Sequence, residues 1–303
     1  MKYIVTGGAG FIGSHIVDML VQRGDDVHVI DNFLTGKRER LNPRAVLHET
    51  DIRHFEKLGS IFAGARGVFH TAAQPRMQYS IAEPRLTNDI NITGTLNVLL
   101  AARDANVPRV VYSASSSAYG PRHPMPLSEQ MPPEPVIPYA IQKRVGEQYC
   151  IMASRFYGVE TVSLRYFNVY GPRQTTERDG PYATVIGIFL EQCAGGKAMT
   201  VVPDGAQRRD FTHVRDVARA NLLAMDSAKV GQGEIINVGT GKNYSVLEIA
   251  GLIGGAWTFT APRQGEVAAT LADITQAKEL LGWEPKISFE EGIAELKTFS
   301  GIV

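Results

Sequence analysis

The chain has 303 residues, 44% hydrophobic and 20% charged, so it is long enough to bury a sizeable core in one large domain or in a large and a small one. Its 31 basic and 31 acidic residues leave no net charge, and no run of Lys or Arg is dense enough to follow a phosphate backbone, which argues against a nucleic acid partner. Two cysteines, Cys150 and Cys193, are too few for a disulfide framework or a cysteine-based metal site, and we expect no metal. Because the sequence shows neither a signal-peptide pattern nor a membrane-spanning apolar stretch, we expect a cytoplasmic protein without a membrane partner.

The first half of the chain alternates short β-branched runs with longer stretches whose apolar residues recur at intervals of three and four. The short runs predict strands at residues 3–7, 26–31, 45–50, 67–73, 109–115 and 161–168. The longer stretches predict helices near residues 11–23, 54–63, 85–106 and 139–158. This alternation is typical of a parallel sheet with helices on both faces, so we predict a doubly wound α/β domain.

The pattern changes after about residue 170. Helical periodicity near 182–194 is followed by a short strand at 198–203, a helix from His213 to Met225 and a strand at 234–239. We therefore predict two domains. The first covers residues 1–170, with parts of 212–240 packed on it, and the second is a smaller α/β domain at 171–303.

A glycine-rich turn, TGGAGFIGSH, follows the first predicted strand and opens the first predicted helix. It fits the GxGxxG spacing from Gly8 and the looser GxxGxxG spacing from Gly7, and such glycines let the backbone approach a pyrophosphate at a helix N-terminus. Asp31, at the end of the second strand, suits the hydroxyls of an adenosine ribose, and its charge would repel a 2′-phosphate. Lys37 and Arg38 are near enough to hold such a phosphate, but a solvated loop is the simpler interpretation. The sequence thus predicts a Rossmann-like domain that binds NAD rather than NADP.

The stretch PYAIQK places Tyr139 and Lys143 one turn apart at the start of a predicted helix. Such a pair can arise by chance, but this one follows a strand that ends in SASSSAYG, at the sheet edge where these folds bind ligands. To act as a base near neutral pH, a tyrosine must lower its pKa by about three units, roughly 4 kcal/mol. A helix dipole supplies only about 0.3 to 1 kcal/mol, whereas one positive charge about 4 Å away, at an effective dielectric of about 20, supplies about 4 kcal/mol. Lys143 and an oxidised nicotinamide are the two candidates for that charge.

Motifs spread over nearly the whole chain resemble those of the extended short-chain dehydrogenase/reductase superfamily. Within it the chain is most similar to the nucleotide-sugar epimerases. The motifs, in chain order, are TGGAGFIG, Asp31, DIR at 51–53, HTAA at 70–73, NITGT at 91–95, SASSSAYG, YAIQK, RYFNVYGPR at 165–173, QRRDFTHVRDV at 207–217, NVGTG at 237–241 and PRQGEV at 262–267.

This resemblance implies roles for individual residues. Tyr139 would be the base, and Lys143 would lower its pKa and bind the nicotinamide ribose. When the motif is aligned on Tyr119-Gly120, Ser115 is the serine that would bridge the sugar hydroxyl, with the neighbouring Ser113, Ser116 and Ser117 as alternatives. The implied cofactor-binding residues are Gly7, Gly10, Phe11, Ile12, Gly13, Asp31, Asn32, Asp51, Ile52, Ala72, Ala73, Asn91, Ser113, Tyr139, Lys143 and Phe167. The implied substrate-binding residues are Ser115, Asn168, Arg209 and Arg263. Taken singly, Asn168 is also compatible with a strand-end cap, and the two arginines with exposed charges.

Two serines, Ser116 and Ser117, stand where the related sugar 4,6-dehydratases and decarboxylases carry acidic residues. Elimination therefore lacks its acid and base, and hydride and proton transfer at one carbon remains, as 4-epimerisation requires. The resemblance thus implies an NAD-dependent UDP-glucose/UDP-galactose 4-epimerase. Thr270 matches a position where a small residue admits N-acetylated sugars, which leaves UDP-GlcNAc and UDP-GalNAc open as substrates.

Alternatives remain at this point. A UDP-glucuronate 4-epimerase or a dTDP- or UDP-sugar reductase of the same family would use the same three catalytic residues. A non-enzymatic dinucleotide sensor would be expected to lack them. Helices 85–106 and 139–158 match the pair that forms a four-helix dimer interface in the family, so we expect a homodimer, although their apolar faces are also suited to covering the sheet.

Overall fold

The computed structural model describes residues 1–75, 77–176, 183–261 and 268–302. The strands formed by these residues are β1 (Lys2–Thr6), β2 (Asp26–Asp31), β3 (Val46–Glu49), β4 (Gly67–His70), β5 (Arg109–Ser115), β6 (Glu160–Tyr166), β7 (Val169–Tyr170), β8 (Met199–Val201), β9 (Arg208–Arg209), β10 (Thr212–His213), β11 (Gln232–Val238), β12 (Tyr244–Ser245) and β13 (Trp257–Phe259). The α-helices are α1 (Phe11–Arg23), α2 (Gly59–Phe62), α3 (Met77–Ala82), α4 (Pro84–Asn88), α5 (Gly94–Asp104), α6 (Pro138–Tyr157), α7 (Val185–Ala194), α8 (Val214–Asp226), α9 (Val246–Ile253), α10 (Thr275–Leu281) and α11 (Phe289–Phe299).

Seven strands form one parallel sheet in the order β3-β2-β1-β4-β5-β6-β11. The chain moves outward from β1 in one direction and then from β4 in the other, so the strand order reverses between β1 and β4. In open α/β sheets, ligands bind at the carboxyl ends of the strands beside such a reversal. This sheet confirms the predicted doubly wound, Rossmann-like fold.

Both faces of the sheet are buried under helices. Successive residues of β1 point to opposite faces, so that Val5 packs in the core beneath α1, α8 and α10, and Ile4 packs in the core beneath α2, α5 and α6. Strands that are buried on both faces have nearly continuous apolar sequences, and for this reason their positions were predicted well from the sequence. No described helix has the length and apolarity needed to cross a membrane.

Two predicted helices differ from those observed. The helix predicted at 54–63 is a 3₁₀ turn, Phe55–Lys57, followed by the short α2. The helix predicted at 85–106 consists of α4, a π-helical turn at Asp89–Thr93, and α5. At the end of the π turn, a Cβ on Gly94 would lie 2.5 Å from Ile52 Cδ1, so the backbone there packs tightly against residues distant in sequence.

A separate aromatic and aliphatic core is built from α7, α9, α11 and the small sheets. Tyr170, Phe211 and Phe289 form its centre, with ring centroids 5.1 to 6.2 Å apart. Two elements that follow residue 170, the predicted end of the first domain, pack with the large sheet. Helix α8 packs against α1, and β11 pairs with β6. The division of the chain into two domains stays a prediction.

Candidate active site

The glycine turn between β1 and α1 is closely packed. Gly7 has a φ of +71°, and a Cβ there would lie 2.7 Å from the backbone nitrogen of Ala72. A Cβ on Gly13 would lie 2.2 Å from the Gly7 carbonyl oxygen. Gly10 is the N-cap of α1 and has no side chain to occupy the N–H groups of the first turn, to which Phe11 and Ile12 belong. The residues present therefore fit the pyrophosphate of a dinucleotide.

Asp31 ends β2 beside this turn, with its carboxylate largely buried. Its two oxygens accept hydrogen bonds from the backbone N–H groups of Ala9 (2.9 Å) and Phe33 (2.8 Å). Burial raises the pKa of Asp31, and these two bonds act in the opposite direction. Arg38 stacks on the Phe33 ring and forms an ion pair with Glu49, which favours a structural role for it over binding of a 2′-phosphate.

A second polar cluster lies at the ends of β2 and β3. Asn32 Nδ2 donates to Asp51 Oδ2 (2.7 Å), and Arg53 donates to both oxygens of the same carboxylate (3.0 and 2.8 Å). Burial favours a higher pKa for Asp51, but the bonds from Arg53 and Asn32 outweigh it and lower that pKa to about 2. Ile52 is buried between these residues and Gly94. The structure thus brings together the predicted Asn32, Asp51 and Ile52.

The loop after β4 carries Ala72 and Ala73, and hydrogen bonds from the Asn91 side chain hold its backbone. Asn91 Oδ1 accepts from the Gln74 backbone N–H (2.8 Å), and Nδ2 donates to the Gln74 carbonyl (3.1 Å) and to Gln142 Oε1 (2.7 Å). The Asn91 side chain, which is 1% exposed, therefore supports the loop that carries Ala72 and Ala73. Gln142 was not predicted as a site residue, and its place between Tyr139 and Lys143 in sequence was the one signal available.

Helix α6 carries the predicted tyrosine and lysine. Tyr139 is half-buried in the first turn, and Lys143, one turn later, is 4% exposed. Lys143 Nζ donates to the Ser113 carbonyl (2.7 Å) and lies 4.9 Å from the centroid of the Tyr112 ring. Burial lowers the pKa of Lys143 to about 8. The ammonium group is thus fixed to the strand that carries the candidate serines.

Ser115 ends that strand and begins the 3₁₀ turn Ser116–Tyr119, against which α6 packs. Ser115 Oγ accepts hydrogen bonds from Ser117 N (3.3 Å) and Ser117 Oγ (2.9 Å). The hydroxyl of Ser113 is paired instead with Tyr166 Oη at 3.0 Å, and Tyr166 donates to Asn221. The Ser113 hydroxyl is thus paired inside the protein, and Ser113 holds Lys143 through its carbonyl.

Two predicted site residues follow β6, Phe167 for the cofactor and Asn168 for the substrate. Phe167 is fully buried, and Asn168, at a φ of +26°, donates from Nδ2 to the Asp210 carbonyl (2.9 Å) and to Thr270 Oγ1 (3.2 Å). Asn168 and Arg209 both line a cavity of about 280 Å³ on the side of the smaller core. The predicted Arg263 lies outside the described residues.

Asp210 is a structural centre that the sequence analysis missed. Its fully buried carboxylate accepts from Thr240 N and Oγ1 (2.8 and 2.7 Å), Gly241 N (3.0 Å) and Ala272 N (3.0 Å). Burial raises its pKa, against the effect of these bonds. Asp210 thus ties the segment that carries Arg209 to two other loops. Its position inside the motif QRRDFTHV was the available signal.

Two buried histidines near these elements have structural partners. His70 is hydrogen-bonded to Thr6 (2.7 Å) and Thr95 (2.9 Å), and burial lowers its pKa to about 3. His213 caps α8 by accepting from the backbone N–H of Arg215 (3.3 Å), and burial lowers its pKa to about 4. Within the described ranges, no group of three or more His, Cys, Asp or Glu residues is arranged to hold a metal.

Known proteins are similar to this chain over nearly its whole length. The sequence model of the NAD dependent epimerase/dehydratase family matches residues 3–239. A putative UDP-glucose 4-epimerase of Methanocaldococcus jannaschii is 41% identical over 298 residues, which cover 96% of this chain and 95% of that protein. The structure of UDP-glucose 4-epimerase from Thermotoga maritima with UDP-glucose has a TM-score of 0.94, 39% identity and 99% coverage of both chains.

A second solved structure is that of UDP-N-acetylglucosamine 4-epimerase from Methanobrevibacter ruminantium in complex with UDP-N-acetylmuramic acid. It has a TM-score of 0.93 and 36% identity, and the match covers 99% of this chain and 98% of that one. These matches confirm the superfamily resemblance and the NAD dependence inferred from the sequence. The chain belongs to the NAD dependent epimerase/dehydratase family.

Proposed function

We propose that the chain is an NAD-dependent UDP-sugar 4-epimerase that interconverts UDP-glucose and UDP-galactose and also accepts their N-acetylated counterparts. The observation that carries the proposal is the buried ammonium group of Lys143, held on β5 one helical turn from Tyr139 and beside Ser115. Serines rather than acids at positions 116 and 117 support epimerisation over elimination. The names of the relatives support the 4-epimerase activity and leave the sugar substituents open.

The chain's own residues would perform the proton transfer and hold the substrate. NAD, when bound in the glycine cradle, supplies a reversible oxidation at C4 of the sugar. Tyr139 removes the proton of the C4 hydroxyl, directly or through Ser115, and returns it later. Lys143 stabilises the tyrosinate by its charge. Asn168 and the guanidinium groups of Arg209 and Arg263 would hold the substrate's sugar and diphosphate, and the diphosphate would stay bound while the sugar turns to present its other face.

We extend this proposal to the domains. Residues 1–170, together with parts of 212–240, would hold NAD, and 171–303 would supply the wall that holds the UDP-sugar. The adjacency of Asn168, Arg209 and Thr270 beyond the end of β6 supports this division.

The purified protein should be incubated separately with UDP-glucose, UDP-GlcNAc and UDP-glucuronate, and the products followed by NMR. We expect the C4 epimer from UDP-glucose and from UDP-GlcNAc, with no lasting change in NADH absorbance. Accumulating NADH or keto sugar would favour the reductase alternative, and conversion of UDP-glucuronate alone would favour the glucuronate epimerase. If none of the three sugars yields a C4 epimer, the proposal is wrong.

Thr270 should control access of N-acetylated sugars. We expect Thr270→Tyr to lower kcat/KM for UDP-GlcNAc by about 10- to 100-fold while changing that for UDP-galactose by less than about fivefold, because the larger side chain fills the space beside Asn168. Thr270 Oγ1 also accepts from Asn168 Nδ2 and Asp210 N. Thr270→Val, which removes the hydroxyl but keeps the volume, is therefore the control. An unchanged ratio of the two kcat/KM values in Thr270→Tyr would contradict the assignment.

We also propose a homodimer formed through α5 and α6. Along α6, apolar residues recur at intervals of three and four on a face that is at least partly exposed, with Ile141 45% and Phe156 77% exposed. The members of this stripe are Ile141, Val145, Tyr149, Met152 and Phe156. An apolar stripe of this length on a surface helix marks an interaction site.

Sedimentation equilibrium tests the dimer. We expect the wild-type protein to sediment as a dimer at micromolar concentration and Met152→Lys to shift it toward the monomer, because a charge would be buried in the interface. Thr275→Lys, at an exposed polar position of α10 on the other face of the large sheet, is the matched control. A wild-type monomer at this concentration would refute the proposal.

A further inference from the structure

The helix that carries Tyr139 has no cap of its own. Ile137 occupies the N-cap position of α6 with an apolar side chain, and Pro138, the first helical residue, has no N–H group. Tyr139 therefore provides the first backbone N–H of the helix. It donates to Ser80 Oγ at 3.1 Å, from a residue 59 positions earlier in the chain.

Ser80 uses its hydroxyl group both as a donor and as an acceptor of hydrogen bonds. Its side chain belongs to α3 and is fully buried, and its hydroxyl donates to the Met77 carbonyl at 2.6 Å. With its proton directed at Met77, the hydroxyl turns a lone pair toward the N–H of Tyr139. A buried hydroxyl with both its donor and its acceptor in use holds one orientation.

A neighbouring contact ties the same turn of α6 to the same region. Gln142 Nε2 donates to Thr87 Oγ1 at 3.0 Å, and Thr87 lies in α4, directly after α3. Ser80 and Gln142 therefore fasten the first turn of α6 to the segment from α3 to α4. Of these two contacts, that of Ser80 reaches the backbone of Tyr139 itself.

We propose that Ser80 is a positioning residue for Tyr139. It caps α6 from another helix and thereby fixes the backbone from which the phenol extends toward the substrate. The proposal rests on the proposed function in one respect, that Tyr139 is the base. Proton transfer depends steeply on geometry, and a displacement of about 1 Å can cost roughly 100-fold in rate. Substrate binding, by contrast, is assigned to residues outside this turn.

Ser80→Ala and Ser288→Ala form a matched pair of cap deletions. Ser288 caps α11 by accepting from Glu291 N at 3.2 Å, and that helix belongs to the smaller core. Both variants should lower Tm by a few degrees, because each loses one N-cap bond. Of the two variants, only Ser80→Ala should lower kcat for C4 epimerisation, by about 10- to 100-fold, with KM changed by less than about twofold. Ser80→Thr, which keeps the hydroxyl, should restore at least part of kcat.

Hydrogen exchange of the wild type and both variants reports on the cap without any substrate. We expect the peptide that contains the Tyr139 amide to exchange about tenfold faster in Ser80→Ala and at the wild-type rate in Ser288→Ala. Unchanged exchange in Ser80→Ala would overturn the cap, and faster exchange with an unchanged kcat would overturn the positioning role. If the wild-type protein yields no C4 epimer but the exchange pattern is as expected, the proposed function is wrong and the cap is still supported.

Discussion

Tyr139→Phe is expected to lower kcat for C4 epimerisation by about 10²- to 10⁴-fold, the usual contribution of a positioned general base. The substitution removes the phenolic oxygen and keeps the ring, which is half-buried in the first turn of α6. The fold and the bound NAD should therefore be retained. The rate is measured by NMR or in a coupled assay with UDP-galactose, and the bound nucleotide is released by denaturation and quantified.

Tyr149→Phe is the matched control for this substitution. Tyr149 lies on the same helix, is also half-buried, and packs against the core on the sheet face that α2, α5 and α6 cover. Its variant should keep the wild-type kcat within about a factor of two. A loss of less than about tenfold in Tyr139→Phe would mean that another group accepts the proton.

The sequence predicted the large sheet well because its signals are local. β1, the glycine turn and Asp31 follow one another within about thirty residues, and each has its own pattern of apolar or glycine residues. The π turn before Gly94 had no such local pattern, and the glycine at its end packs closely against Ile52, forty-two positions earlier. The apolar periodicity of the sequence continues through the π turn, so it predicted one uninterrupted helix there.

The same distinction applies to the candidate site. Tyr139 and Lys143 were found because they share one helical turn, and the choice of Ser115 depended on its distance from a neighbouring Tyr-Gly pair. The supporting contacts join residues far apart in sequence, such as Ser80 with Tyr139 and Gln142 with Asn91. Nothing local marks a buried serine or glutamine as a partner of a particular residue, so these contacts required the folded chain.

The electrostatic setting of Lys143 explains how its charge remains available to Tyr139. Glu147, one turn further along α6, is fully buried and could have neutralised the lysine. It is bound instead by Arg165 through two hydrogen bonds (2.7 and 2.8 Å), and a third comes from Arg144 (2.9 Å). The Glu147 charge is thus balanced by arginines, and Lys143 Nζ donates to the neutral Ser113 carbonyl. Burial then lowers the pKa of Lys143 to about 8.

Lys143→Met should lower kcat near neutral pH by about 10³-fold and move the pH optimum upward. The reason is that a charge about 4 Å away, at an effective dielectric of about 20, is worth about 4 kcal/mol to the tyrosinate, and its loss raises the pKa of Tyr139 toward its ordinary value near 10. While Tyr139 is protonated, the pKa of Lys143 is about 8. Once Tyr139 has lost its proton, the same attraction of about 4 kcal/mol raises the pKa of Lys143, so the ammonium persists at higher pH. We therefore expect wild-type activity to reach a plateau above neutral pH, whereas the activity of Lys143→Met should continue to rise toward about pH 10.

The full pH dependence of kcat, measured from pH 6 to 10, distinguishes the role of the charge from that of the side chain's bulk. Lys143→Arg keeps a cation at this position and should show its rise in activity at the same pH as the wild type, because the guanidinium keeps its charge over the whole range. Methionine fills a similar volume without charge, so its effect on stability should be small by comparison. If Lys143→Met has the wild-type pH profile, Lys143 does not lower the pKa of Tyr139, and the two side chains share a helix face without acting together.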